Sequence, residues 1–200
     1  NLNRHEHAID AYSEVIRLNP DLDWAYGCFL VSRMKVCSWK DFPANLDHIV
    51  TRALAGEKVV RPFELLSMID DGALQKKSSE IYIQSNFPTN PTLGPILKRS
   101  EYKKIRVAYF SADFRNHPVG FLIAELIEIH DRSKFEFYAF SLVKADDEMR
   151  DRFAQAFDYF LDVEAKLDIE IAQLARDLEI DIAIDLTGFT RDSRMGIFAF

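Results

Sequence analysis

The sequence predicts an α/β protein in two parts, a helical amino-terminal segment and a lobe built on a parallel β-sheet. Residues 1–95 show the three- and four-residue apolar spacing of helices, whereas residues 96–200 alternate runs of β-forming residues with amphipathic stretches. Strand, helix and strand in succession form right-handed βαβ units, which build a doubly wound parallel sheet. Proline and glycine are dense between Pro88 and Ser100, and we place the boundary there, giving domains 1–95 and 96–200.

Composition and charge restrict the classes of function. Hydrophobic residues make up 48% of the 200 residues, which is enough for a substantial core. The net charge of −7, without a block of lysines or arginines, argues against nucleic acid as a partner. No apolar run approaches the roughly 20 residues that span a bilayer, so we expect no membrane segment. The chain starts within a helical pattern and ends on Phe200 without a polar tail, and we expect it to be part of a longer protein.

The two cysteines, Cys28 and Cys37, are too few for a disulfide framework, and no signal peptide precedes them. Neither has another cysteine or a histidine at metal-ligand spacing. We therefore expect both thiols to be buried and reduced, and we predict a cytoplasmic location.

The helical part begins with an amphipathic helix over residues 7–20, which Pro20 ends. The helix carries Ala8, then Tyr12 four residues later, and it closes with leucine-x-proline. This pattern resembles the second helix of a tetratricopeptide repeat. The alternative is an ordinary amphipathic helix that ends in proline. Because such repeats bury their faces on neighbouring repeats, we expect more of them upstream. Further helices are predicted at residues 23–34, where the repeat pattern is degenerate, and at residues 45–54 and 73–87.

The second part alternates strands and helices. β-Branched and aromatic residues mark strands at residues 105–110, 135–142, 159–163 and 180–186. The stretches between them predict helices at residues 120–130, 148–157 and 169–178. For the first of these helices we expect an inner apolar stripe of Phe121, Leu122, Leu126 and Ile129.

Two polar loops, residues 111–117 and 185–194, follow the carboxyl ends of predicted strands. In an open parallel sheet both lie at the same edge, where such folds bind ligands. The first loop carries His117, directly before a helix whose amino end favours anions. A histidine there can accept a proton, donate one or bind an anion, and Asp113 could orient it. The alternative is a histidine that only caps the helix. No Gly-x-Gly-x-x-Gly fingerprint of dinucleotide binding follows the first strand.

Four segments together resemble one family of enzymes. Residues 106–118, which end in the His117-Pro118 pair, resemble the start of the catalytic region of the O-linked N-acetylglucosamine transferases and their bacterial relatives. Residues 131–142 are similar to the second strand of that family, and Trp39-Lys40-Asp41 is similar to its C-x-W-x-D linker motif. The segment from Asp185 to Thr190, with Arg194 and Phe198-Ala199, resembles its D-L-x-G-x-T…R…F-A motif. These segments occur in the family's order along nearly the whole chain.

The resemblance implies a Rossmann-like lobe that is half of a two-lobed GT-B glycosyltransferase. Such an enzyme moves a sugar from a UDP-sugar to a protein hydroxyl with inversion at the anomeric carbon, and it needs no metal and no cofactor. Carried over to this chain, the catalytic histidine is His117, acting as a base or as a contact to the sugar and acceptor. The substrate-binding residues would be Asp113, Pro118, Thr187, Gly188, Thr190 and Arg194. Phe189 stands where relatives often carry His or Tyr, which removes a polar side chain from that position.

Two other interpretations stay open. The chain could be a non-catalytic interaction module in which the repeats recruit partners, or part of an enzyme that glucosylates asparagine, as some relatives do. In the main interpretation the partners are an acceptor protein and a UDP-sugar, and homo-oligomers formed through upstream repeats are a further hypothesis. Most UDP contacts would come from a second lobe beyond Phe200, so the chain by itself is expected to be inactive.

Overall fold

The computed structural model describes residues 4–97 and 103–200, and the chain falls into two compact units, residues 1–88 and 89–200. Residues 98–100 of the predicted boundary lie outside the described residues. The residues just before this gap belong to the second unit, because the backbone N–H of Asn90 donates to the carbonyl of Ala199 at 2.6 Å. Arg176 donates to the carbonyls of Leu93 and Gly94. We call the two parts the helical unit and the sheet unit.

The helical unit contains, within its described residues, five α-helices: α1 His5–Leu18, α2 Ala25–Lys35, α3 Phe42–Leu54, α4 Pro62–Leu66 and α5 Gly72–Asn86. The Asp71 side chain starts α5 by accepting the backbone N–H groups of Ala73 and Leu74, as an N-cap residue does. The core consists of apolar side chains that are at most 3% exposed: Leu30, Ile49, Ala53, Val59, Val60, Leu65 and Leu74. The helix predicted at residues 7–20 is present as α1, and its assignment to a tetratricopeptide repeat stays a prediction.

The two cysteines differ in exposure. Both are free thiols, and Cys28 is half-buried whereas Cys37 is exposed. The prediction that both are buried was wrong for Cys37 and only partly right for Cys28; Cys37 is exposed because α2 ends at Lys35 and Cys37 lies in the turn after it.

The described part of the sheet unit holds four parallel strands: β1 Ile105–Ser111, β2 Phe135–Ser141, β3 Tyr159–Asp162 and β4 Ile182–Asp185. The helices are α6 Pro118–Glu128, α7 Glu148–Ala156 and α8 Asp168–Asp177, with short 3-10 helices at Pro91–Leu93 and Met195–Ala199. The order of the strands across the sheet is β3-β2-β1-β4. The predicted alternation of strands and helices around a parallel sheet is confirmed.

Alternate residues of the strands contribute to two separate cores, one on each face of the sheet. Val107 and Tyr109 of β1 pack with side chains of α6 and α7. Ala108 and Phe110 pack instead with side chains of α8 and with Ile197. The connections through α6 and α7 therefore cover one face, and the return through α8 to β4 covers the other. The chain changes its direction across the sheet between β1 and β4, which makes this boundary a topological switch point.

Helix α6 buries a different face from the predicted one. The residues expected inside, Phe121, Leu122, Leu126 and Ile129, are 48–81% exposed. The buried residues of the helix are Gly120, Ala124 and Ile127. Because α6 is apolar around its circumference, periodicity alone could not select the inner face. Small residues lie inside because they let the helix approach the backbone beneath it, as the surroundings of Gly120 show.

Candidate functional site

The loops that follow β1 and β4 meet at the topological switch point. Both begin at the carboxyl ends of adjacent parallel strands, where Phe110 lies beside Asp185 in the register. The backbone N–H of Ala112 donates to the hydroxyl oxygen of Thr187 at 3.1 Å, and Thr187 is buried. The two predicted loops therefore share one edge of the sheet and are joined by a direct hydrogen bond. Open α/β sheets bind their ligands in crevices at such points.

His117 occupies the N-cap position of α6, at the end of the loop after β1. Its backbone is extended (φ −149°, ψ 150°), and its Nδ1 accepts the backbone N–H of Val119 at 3.3 Å. A neutral ring that accepts at Nδ1 carries its proton on Nε2. The side chain is 38% exposed.

A carboxylate oxygen of Asp113 lies 3.4 Å from the same Nδ1 atom of His117. The two contacts require opposite protonation, because accepting from Val119 needs a bare Nδ1 and donating to Asp113 needs Nδ1–H. The Val119 contact has hydrogen-bond geometry. The Asp113 oxygen is a near neighbour of the same nitrogen. In the tautomer that the Val119 contact requires, His117 is a hydrogen-bond donor through Nε2.

Asp113 is a buried carboxylate, 6% exposed, within the loop after β1. Its backbone N–H donates to the Ser111 hydroxyl at 3.0 Å, and its Oδ1 accepts from Arg115 at 3.3 Å. Arg115 also lies 3.9 Å from Asp192, in the loop after β4. A buried charge is tolerated when it is paired. Arg115 therefore compensates Asp113 and provides a second link between the loops. The buried Nε of Arg115 has no hydrogen-bond partner among the described residues.

Gly120 allows the loop after β1 to lie directly on the first turn of α6. A Cβ atom at this position would lie 2.5 Å from the carbonyl oxygen of Arg115 and 3.1 Å from that of Asp113. Both neighbours are backbone atoms, so no change of side-chain rotamer could relieve the overlap. The close contact of loop and helix depends on glycine at this position.

Asp185 organises the loop after β4. Its carboxylate oxygens accept the backbone N–H of Thr187 at 2.9 Å and that of Gly188 at 3.0 Å, as in an Asx-turn. Gly188 has φ +55°, which glycine adopts without strain. The hydroxyl of Thr190 donates to the carbonyl of Thr187 at 2.7 Å. Sequence reasoning did not name Asp185 as a site residue, although an aspartate at the end of a strand, followed by Thr-Gly, is a recognisable turn signal.

The structure brings most of the predicted site residues to the joined loops, with one exception. The residues in or next to these loops are Asp113, His117, Pro118, Thr187, Gly188 and Thr190. The guanidinium of Arg194 is instead bonded to Asp168 at 2.5 and 2.8 Å and to carbonyls of the connection from β3 to α8. The substrate-binding role of Arg194, like those of the other residues, stays a prediction.

The described residues hold neither a cluster of metal-binding side chains nor a helix that could span a membrane. Within residues 4–97 and 103–200, no group of three or more His, Cys, Asp or Glu side chains is arranged to hold a metal ion. In the same ranges, no helix combines the length and the apolar character needed to cross a bilayer.

Sequence comparisons match the chain to a known family. The model of glycosyl transferase family 41 matches residues 90–200. A probable UDP-N-acetylglucosamine–peptide N-acetylglucosaminyltransferase of Arabidopsis thaliana, SEC, is 31% identical over 180 residues, which cover 82% of this chain and 18% of that protein. The Caenorhabditis elegans UDP-N-acetylglucosamine–peptide N-acetylglucosaminyltransferase is 29% identical over 99 residues, which cover 48% of this chain and 9% of that protein.

A solved structure shares the fold. A mutant of the O-GlcNAc transferase of Thermobaculum terrenum aligns with a TM-score of 0.59 at 22% identity, covering 98% of this chain and 32% of that chain. This likeness confirms the predicted fold class. The chain spans less than a fifth of either curated relative described above. Because the family model matches more than half of the chain, and because the resemblance seen in the sequence names the same enzymes, the chain belongs to glycosyl transferase family 41.

Proposed function

We propose that this chain is the repeat-to-catalytic junction and the amino-terminal lobe of a UDP-sugar-dependent protein glycosyltransferase. The observation that carries the proposal is the pair of loops joined at the switch point, with the exposed imidazole of His117 on one of them, in a chain of family 41. The relatives are named for UDP-N-acetylglucosamine and for peptides. We propose the same donor for this protein and a protein side-chain hydroxyl as its acceptor.

In the proposed reaction the acceptor oxygen forms a bond to the anomeric carbon as the bond from that carbon to UDP breaks, with inversion of configuration, and the proton of the acceptor hydroxyl passes to a phosphate oxygen of the departing UDP or to water. His117 contributes through Nε2–H, which binds an oxygen of the acceptor or of the sugar and orients it for attack. Thr187, Gly188 and Thr190 form the opposite wall of the crevice. The proposed enzyme uses neither a metal nor a cofactor besides the donor.

The cysteines support the proposed location of the protein. Cys28 and Cys37 are free thiols, and free thiols are typical of reducing compartments. We therefore place the protein in the cytoplasm.

Sugar transfer by the full-length protein tests the proposed function. The protein is incubated with UDP-N-acetylglucosamine or, in parallel, with UDP-glucose, and with peptides whose acceptor is either serine, threonine or asparagine, and the products are analysed by mass spectrometry. We expect the mass of one N-acetylhexosamine to be added to the hydroxyl peptides only. Modification of asparagine would favour the asparagine glucosyltransferase instead. Absence of transfer from any UDP-sugar to any peptide would favour the non-catalytic interaction module.

A further inference from the structure

A carboxylate outside the two joined loops bonds the backbone directly before His117. Asp147 Oδ2 accepts the backbone N–H of Asn116, 31 positions away in the sequence, at 3.0 Å. Its Oδ1 accepts the backbone N–H of Arg150 at 3.0 Å, which makes Asp147 the N-cap of α7. One side chain therefore joins the loop after β1 to the helix that follows β2.

The two bonds of Asp147 require two acceptor atoms in one side chain. Each carboxylate oxygen takes one backbone N–H, whereas asparagine has a single oxygen and would present its NH2 group to the second donor. The bond from the Asn116 N–H is the main cause that lowers the pKa of Asp147 below its ordinary value. The carboxylate is therefore ionised at neutral pH, and hydrogen bonds to an ionised acceptor are stronger than neutral ones.

The bond to Asn116 holds the residue before His117 from outside the two joined loops. The Thr187 hydroxyl accepts the N–H of Ala112 at the start of the loop. In the middle of the loop, the carbonyl oxygens of Asp113 and Arg115 pack closely against Gly120. Asn116 is the last residue before the imidazole. We propose that Asp147 is a positioning residue, which sets the place of the His117 imidazole in the crevice by holding the Asn116 N–H. The catalytic consequence of this inference rests on the proposed function.

The test compares Asp147→Asn with the matched control Asp71→Asn. Asp71 is the N-cap of α5 in the helical unit, where it accepts the N–H groups of Ala73 and Leu74. Asparagine is as good an N-cap as aspartate, so both variants keep their helix cap. Only Asp147→Asn also loses the bond to the His117 loop. Asp147→Ser, which keeps one capping oxygen and lacks the second acceptor, replaces Asp147→Asn if that variant unfolds.

Two measurements separate the inference from the proposed function. In the 200-residue chain, the imidazole signals of His117 are followed by NMR and assigned with a His117→Asn variant. In the full-length protein, kcat and KM for UDP-N-acetylglucosamine are measured.

We expect Asp147→Asn to shift the His117 signals and to lower kcat about tenfold, with KM changed less than about twofold. Asp71→Asn should change neither the His117 signals nor kcat. Unshifted His117 signals in Asp147→Asn would overturn the inference. Shifted signals with an unchanged kcat would support the positioning of His117 and contradict its proposed role in sugar transfer, while absence of transfer by the wild type would contradict the proposed function.

Discussion

At the scale of single residues, the chemistry of the site depends on which atoms remain available after the loops have folded. Nδ1 of His117 caps α6 and lies near Asp113, so Nε2 is the nitrogen that a ligand meets. The carboxylates of Asp113 and Asp185 are already bonded to groups of their own loops. A sequence can show that a histidine precedes a helix. It cannot show which ring nitrogen caps the helix, because the rotamer depends on neighbours that are distant in the chain.

Glu64 gives a pH-dependent prediction for the helical unit. Its side chain is only 17% exposed, and burial raises its pKa above the ordinary 4.5, with Arg61 opposing the shift. Because the folded state holds this proton more tightly than the unfolded state, the stability from Glu64 is complete below pH 4.5 and is lost as the pH rises through the raised pKa. Glu64→Gln should therefore be more stable than the wild type at about pH 7 and nearly equal to it at about pH 4.

Tryptophan fluorescence can measure this difference, because Trp24 and Trp39, the two tryptophans of the chain, both lie in the helical unit. Urea unfolding is recorded at both pH values for the wild type, for Glu64→Gln and for the control Glu80→Gln, whose side chain is 56% exposed. The control should show no such pH-dependent gain. A Glu64→Gln variant that is less stable than the wild type at neutral pH would contradict the prediction.

At the scale of elements, the sequence predicted the strands well and the helix orientation poorly. The central strands β1 and β2 could be located because buried parallel strands are short, nearly continuous apolar runs, and the edge strands β3 and β4 because they too are rich in aromatic and β-branched residues. The predicted inner face of α6 was wrong because the buried face combines the small residues Gly120 and Ala124 with Ile127, and four other large apolar residues of this segment lie exposed. The N-cap formed by Asp147 and the Asx-turn formed by Asp185 were missed. Aspartates often flank helices and strands, and the bond of Asp147 to a distant loop is visible only in three dimensions.

Gly120 provides a test of the contact between α6 and the loop before it. Gly120→Ala should destabilise the sheet unit by about 1–3 kcal/mol, because the new Cβ would overlap backbone carbonyls of the loop. The control is Gly72→Ala in α5, where a Cβ meets nothing within 4 Å; it should be neutral or stabilising by up to about 1 kcal/mol. Urea unfolding followed by circular dichroism measures both effects. Equal stability of the two variants would show that the loop can move away from α6 at little cost.

At the scale of the whole molecule, we propose that the chain holds one side of the active site. The joined loops both belong to the sheet unit, and the match covers 18% of the Arabidopsis relative. The motifs that carry the family resemblance lie largely at the ends of β1 and β4, where the sheet topology brings distant segments together. This is why the family and the edge of the sheet could be predicted from the sequence. The partners of Arg194 could not, since they depend on how the end of the chain returns to α8.

The division of the proposed enzyme into two lobes predicts weak donor binding by this chain alone. Without the second lobe, the 200-residue chain should be inactive in the transfer assay and should bind UDP with a Kd above about 1 mM. Isothermal titration calorimetry with UDP measures the affinity, and the full-length protein serves as the control, with binding expected at least about tenfold tighter. Micromolar binding of UDP by the chain alone would contradict the assignment of the donor site to a second lobe.

The transfer rate of His117→Asn in the full-length protein tests the central claim most directly. Asparagine is a strong N-cap and offers an oxygen to the Val119 N–H, so α6 keeps its cap while the Nε2–H group is removed. We predict that kcat falls about a hundredfold while the thermal stability stays close to that of the wild type. A kcat equal to that of the wild type would show that His117 only caps the helix, and it would contradict the proposed site.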